Sequence, residues 1–462
     1  MYDLSQLDAP SRVTLRDSLL LFLVKYKTSS TALITQLCVG LADLSIQLST
    51  WHTVLEDISQ AVGTDSAGIS CLLEFITVLP EELSTNTKIP LSDEEYRDRS
   101  VELLSKNVNG VLLLLTSYAQ QTSVSPTMQS RIFNCIKSWL KSGEVPIPLF
   151  CDSPLLNYLF LGLSNPDVFE SAVDTICQLI HETSEVYEYL QQINLIYPKL
   201  LPLVDLIKTN TDDEDILRGV CRIFTAAGES YTVLIVKHVD AFSGIIQGIL
   251  ECITYPNLEI VKMTFNFWYS LALLLNQDQY MELKSKFAQY FQSLQIVIIE
   301  RLHYPDDDSE WSAEDQDDFR EFRHEMGDVL KDCCVVVGSQ NVISVPYAMI
   351  LEQLRLVEAG ESYEWQDIEA PLFSIRAVGA MVPVDETVVL PDLMTLIPKM
   401  PEHPKIRYAA TLVIGRYTEW TGYHPQFVAD QLKYISDGFA NRDVAAASAM
   451  ALKFLAKDCG KV

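Results

Sequence analysis

Asn165-Pro-Asp-Val-Phe-Glu-Ser-Ala172 reads as a tight turn feeding directly into a helix, and the layout recurs along this 462-residue chain. It returns as Tyr255-Pro-Asn-Leu-Glu-Ile-Val261 and His403-Pro-Lys-Ile-Arg-Tyr-Ala409, and without proline as Asn441-Arg-Asp-Val-Ala-Ala446. Proline costs little in a first turn, where its missing N–H would have no partner anyway. The aliphatic residue two positions after each proline (Val168, Leu258, Ile406) is expected to anchor the inner face. Small residues such as Ala409, Ala410 and Ala445 to Ala447 are expected to let neighbouring helices approach closely.

Pro166 and Pro256 stand about two periods apart and Pro404 and Asp443 about one, on the spacing of HEAT repeats. Apolar periodicity with start and stop signals gives about twenty helices and no convincing alternating strand. The reading is therefore an all-α, armadillo-like HEAT-repeat α-solenoid, a right-handed superhelix of about ten antiparallel helix pairs. It is expected to run as a single solenoid over 1–462, with an acidic inter-helix loop at 305–318. Capping boxes are expected at Ser92-Asp-Glu-Glu95 and Thr211-Asp-Asp-Glu214, each a hydroxyl followed at the third position by a carboxylate. Second helices, exemplified by residues 173–180 and 409–417, should line the concave side and bury Ile176, Ile180, Leu412 and Ile414. Phe265, Phe267, Trp268 and Tyr269 read as interhelical core rather than as a ligand box.

Composition bounds the partners. With 34 basic against 62 acidic residues, the formal charge of −28 repels nucleic acid and anionic lipid and favours basic surfaces. Direct nucleic-acid binding is not expected. The ten cysteines show no C-x-x-C and no zinc spacing, which suits buried thiols in a reducing compartment. The apolar run at residues 19–24 is too short to span a bilayer, so no membrane insertion is expected. No phosphate-binding glycine loop, nucleophile elbow or zinc-protease motif is present, so neither an enzyme nor a metal or cofactor is expected.

One segment breaks the repeat texture. Between Tyr304 and Glu321 stand Asp306, Asp307, Asp308, Glu310, Glu314, Asp315, Asp317, Asp318 and Glu321, against the single Arg320. Ser312 as a helix cap, with acidic side chains complementing the helix dipole, accounts for Glu314, Asp315 and part of Asp317. It does not require the whole run. A calcium loop is disfavoured because the D-x-D-x-D-G layout is missing. Two expectations remain side by side, a solvated inter-helix loop and a surface that contacts a basic partner.

Seven segments carry a wider resemblance: LRDSLL (15–20), TQLCVGLADLSIQLSTW (35–51), LLEFITVLPEEL (72–83), CRIFTAAGESY (221–231), FNFWYSLA (265–272), DDFREFRHEMGDVLKD (317–332) and RYAATLVIGRYTEW (407–420). Together they resemble the transportin-SR branch of the importin-β (karyopherin-β) family, which includes the fungal mRNA transport regulators. Family members are roughly twice this long, and the resemblance places this chain as a middle section, without the N-terminal Ran-binding and C-terminal cargo-binding repeats. It implies an import receptor shuttling between cytoplasm and nucleus. The implied partners are the Ran GTPase in its GTP form, arginine/serine-rich mRNA-binding or splicing cargo, and Phe-Gly nucleoporins, with RanGTP releasing cargo. The acidic run would then meet Ran or cargo. The alternative from another class is a static HEAT scaffold of a cytoplasmic complex, which has no reason to respond to the nucleotide on Ran.

Overall fold

The computed structural model describes residues 4–121, 123–210, 212–305 and 311–460, and every regular element among them is helical. The chain divides into two compact units, Met1–Tyr231 and Thr232–Val462. In the first, α1 (Thr31–Gln47), α2 (Ser66–Thr85), α3 (Pro126–Lys141), α4 (Phe169–Glu182) and α5 (Glu214–Ser230) form a row, each packed on the one before. Buried polar side chains tie successive rungs. Trp139 Nε1 donates to the Ile76 carbonyl at 2.9 Å, Ser138 Oγ to Thr77 at 2.6 Å, and Thr175 Oγ1 to Phe133 at 3.1 Å. Each bond satisfies a donor that burial would otherwise leave costly.

The second unit is built from α6 (Phe265–Leu275), α7 (Lys284–Arg301), α8 (Ala313–Val337), α9 (Ser339–Ala359), α10 (Gln366–Ala377), α11 (Pro404–Arg416) and α12 (Ala445–Cys459). Here α6, α8, α10, α11 and α12 form the row, while α7 packs on α8, α9 on α10, and the helix Val428–Gly438 on α12. Tyr417 Oη reaches from the end of α11 to the Ile375 carbonyl at 2.9 Å, repeating the rung bond of the first unit. Close approach is needed where α11 meets α12, since a Cβ on Gly415 would stand 3.0 Å from the Ala451 Cα. This two-layered helix stacking is that of an all-α HEAT-type solenoid.

The turns at Asn165, His403 and Asn441 lead into row helices and the one at Asn257 into the short helix Leu258–Lys262 before α6, but their common register is not the proline. Counting three residues on from Asn165, Asn257, His403 and Asn441 lands on Val168, Ile260, Ile406 and Val444, all at most 1 % exposed. The side-chain oxygen of each asparagine accepts a backbone N–H two residues later, from Asp167, Glu259 and Asp443. Pro256 therefore lies one residue outside the turn, and the anchor there is Ile260, not the half-buried Leu258. The asparagine fixes the phase because it supplies the cap, whereas proline is merely tolerated on either side of it.

Ile176, Ile180, Leu412 and Ile414 are all buried. Ser92 and Glu95 form the expected reciprocal capping box. The second box differs: Thr211 lies outside the described residues, and the helix is capped by Asp213, whose carboxylate accepts from the Ile216 N–H at 3.2 Å. Helices are also more broken than the periodicity suggests, with pieces of five or six residues at Ile147–Cys151, Leu258–Lys262 and Thr418–Tyr423. An apolar pattern continues in phase across such short interruptions, so it does not mark them. By length and composition the stretch Leu258–Leu275 is apolar enough to cross a membrane, yet it breaks at Met263 and Thr264 and buries Ile260, Phe267 and Trp268. Of the aromatic cluster, Tyr269 is the exception to the core reading, being more than half exposed.

Candidate functional site: one face of a long helix

The acidic run divides in the structure. Asp306, Asp307, Asp308 and Glu310 lie outside the described residues. Ser312 is extended (φ −66°, ψ 167°) and caps α8: its hydroxyl accepts from the Asp315 N–H at 3.1 Å, and the Asp315 carboxylate accepts from the Ser312 N–H at 2.8 Å. Those hydrogen bonds, first from the Ser312 side chain and then from its backbone, hold the Asp315 carboxyl below the usual range. The loop expectation to residue 318 is thus corrected at Ser312, because this reciprocal cap starts the helix at Ala313. Asp317 pairs with Arg320 one turn on. Glu314, Asp318 and Glu321 are exposed, and among the described residues they have no counter-ion.

Helical geometry turns these residues into a line. At 100° per residue, Glu314, Asp318, Glu321, Glu325, Asp328 and Asp332 fall at steps of four and three, within an arc of about 80°. At 1.5 Å rise per residue the stripe runs for about 27 Å. Along it the compensation increases: Glu325 meets Lys262 at 3.5 Å, and Asp328 meets Lys331 at 2.7 Å. Asp332, at the far end, has its carboxyl pushed up to about 6, first by burial and then by the neighbouring Asp328. Among the described residues no three such side chains converge on a point that could hold a metal ion. The arrangement suits a row of separate cations, such as Lys and Arg side chains on an extended or helical partner.

The rest of α8 fixes this stripe in place. Phe319, Phe322, Met326, Val329, Leu330 and Cys333 are buried on the neighbouring arc. Phe322 stacks on Phe265 of α6 with centroids 6.3 Å apart, and Phe319 meets Tyr304 and Trp311 edge-on at 5.2 Å. Arg323 is 3 % exposed, bound to the buried Glu369 of α10 at 2.7 Å and held between the rings of Tyr304 (4.5 Å) and Phe373 (4.1 Å). Two of the three charged residues that follow Asp317-Asp318 are therefore structural: Arg320 neutralises Asp317, and Arg323 locks α8 to α10. The sequence reading missed Glu325, Asp328 and Asp332 as part of the acidic surface. The signal was available in the phase of the carboxylates, which continue at helical spacing after their density falls.

Comparison with known proteins follows the same lines. A family model described as Exportin 1-like protein matches residues 30–176, and the models for the second and third TPR domains of Transportin-3/Importin-13 match residues 212–301 and 387–462. The stripe lies between the last two matches. The chain is similar to the mRNA transport regulator MTR10 of Saccharomyces cerevisiae, at 35% identity over all of this chain and 49% of that protein. It is 27% identical to Transportin MOS14 of Arabidopsis thaliana (99% of this chain, 50% of that one) and 24% identical to Importin-13 of Homo sapiens (96% and 48%). The chain thus spans about half the length of the curated relatives it matches. Among solved structures, Kap121p bound to Ste12p superposes with a TM-score of 0.62 at 15% identity, over 95% of this chain and 41% of that one, which shows the shared fold.

Proposed function

The chain belongs to the importin-β (karyopherin) family, in the branch of the transportins and importin-13, and from that premise we propose that it carries basic, arginine/serine-rich proteins between cytoplasm and nucleus. The observation that supports this reading is the carboxylate stripe on α8. A cargo rich in Arg offers forked donors that match carboxylates two at a time, and a row of them along one helix face rewards a repetitive cationic segment over a single charge. Like the rest of the family, the chain works by binding and not by catalysis. Phe-Gly nucleoporins and Ran in its GTP form are the partners the reading requires for passage and release. The chain's charge of −28 supports the same choice of basic cargo.

The test is release. An arginine/serine-repeat protein bound to the chain, extended to the length of its relatives, should be displaced by Ran loaded with a non-hydrolysable GTP analogue and retained with Ran·GDP. Equal retention with both nucleotides would move the protein to the static-scaffold class.

A further inference from the structure

The opposite flank of α8 carries the reverse charge. Arg320, His324 and Lys331 lie there, about a third of a turn from the acidic stripe, and face a groove bounded by α10, α11 and α12. The groove consists of two adjoining hollows of about 790 and 800 Å³ that share His324, Phe373, Arg376, Leu412 and Met450. Seven Lys and Arg side chains line the pair against five carboxylates, in a chain where acidic residues outnumber basic ones by 62 to 34.

Two of its arginines lack a counter-ion. Arg376, half-buried on α10, lies over the Phe373 ring at 4.9 Å, and among the described residues it has neither a hydrogen-bond acceptor nor a salt bridge. Burial first, and then the charge of Arg323, make its protonated state harder to hold than an ordinary guanidinium's. Glu369 is close enough to offset this in part, but its oxygen is already committed to Arg323. The Arg323 Nε, buried at the edge of the same groove, has no partner either. Arg416, at the end of α11, is exposed, and no acceptor among the described residues meets it. Its stem crosses Gly379, where a Cβ would stand 2.5 Å from the Arg416 Cγ, so the absence of a side chain there gives the guanidinium its path into the groove. Beside these cations, Met450 and Phe454 stand one turn apart on α12, each more than a third exposed despite being large and apolar.

We propose that this groove holds an acidic, aromatic-bearing segment of a partner protein, with Asp or Glu carboxylates on Arg376 and Arg416 and an apolar side chain against Met450 and Phe454. Arg376, unpaired and partly desolvated, gains most from a forked carboxylate because its desolvation is already incurred, and the exposed Arg416 adds a second unpaired fork beside it. Two linked hollows fit several residues of extended chain better than a single small anion. Single negative charges are favoured over dianionic phosphate because Asp328, Glu419 and Asp458 line the same groove and repel each added charge. The long-range repulsion from the chain's net charge does not forbid this, being screened beyond about 8 Å at physiological ionic strength. The two flanks of α8 thus select opposite charges: basic segments on the stripe, acidic ones in the groove.

The experiment uses a fluorescein-labelled synthetic peptide of alternating Glu and Phe, its Gln counterpart and its phosphoserine counterpart, titrated with the whole chain in physiological salt. The Glu peptide should bind at least tenfold tighter than the Gln peptide, and Arg376→Gln and Arg416→Gln should each weaken it about tenfold, while Asp318→Asn with Glu321→Gln on the stripe leaves it unchanged. Arg416 is exposed, so its variant keeps the test sound even if the Arg376 variant shows a lowered melting temperature. Equal binding of the Glu and Gln peptides, or binding indifferent to Arg416→Gln, overturns the proposal. Preference for the phosphoserine peptide overturns the carboxylate assignment in favour of phosphate.

Discussion

At the scale of single residues, charges of the same type have separate fates on one helix. Asp315 is bound into a cap, Asp317 is neutralised by Arg320, and Asp318 stands free in solvent, though all three fall within four positions. Asp332 differs again, because burial and Asp328 raise its carboxyl to about 6, and Lys331 offsets only part of that. A raised acid binds its proton more tightly in the folded state, so its ionisation opposes folding as pH climbs from about 4 to about 6, and the full penalty stands above that. That rise corresponds to a ceiling of about 3 kcal/mol, and the remaining solvent contact reduces this to about 1 kcal/mol. Asp332→Asn should therefore raise stability by about 1 kcal/mol at pH 7 and leave it unchanged near pH 4, as read by urea unfolding at both values. A gain of equal size at pH 4 would mean that packing, not charge, sets the penalty.

At the scale of elements, the sequence discloses helix starts better than helix phases. The turn at Asn165, the cap at Ser92 and the break before α8 at Ser312 all depend on residues adjacent in the chain, where a hydroxyl or amide oxygen meets an N–H two or three positions on. Such contacts are legible because nothing distant can displace them. At Tyr255 the proline register misplaces the anchor, because the cap at Asn257 places Ile260 inward. Ile260→Ala should accordingly cost about 2 to 4 kcal/mol, as a large-to-small core change does, and Leu258→Ala less than about 1 kcal/mol. The reverse order in thermal or denaturant melts would restore the proline register. By contrast, the Arg323–Glu369 pair joins residues 46 positions apart, and no local pattern announces it. The stripe is half legible: its N-terminal part is dense in carboxylates, and its continuation through Glu325, Asp328 and Asp332 depends on the helix running unbroken to Val337.

For the whole molecule, a formal charge of −28 says only that basic partners are attracted from every side. What the fold adds is placement, since the buried Arg323, bound to Glu369, ties α8 to α10 and holds its carboxylates as a set. A general acidic surface and a specific acidic stripe make different demands on a variant. Neutralising any three exposed carboxylates lowers a general attraction by the same small amount, whereas neutralising three in the stripe removes adjacent contacts. The decisive measurement is the affinity of an arginine/serine-repeat peptide, by fluorescence anisotropy at low and physiological salt, for the chain carrying Glu314→Gln, Asp318→Asn and Glu321→Gln together. A control carries three exposed carboxylates changed elsewhere, at Glu56, Glu188 and Glu361. The account predicts at least a tenfold loss for the stripe variant, a shallower dependence on salt, and little change in the control. Equal losses in the two variants, or none in either, would contradict it.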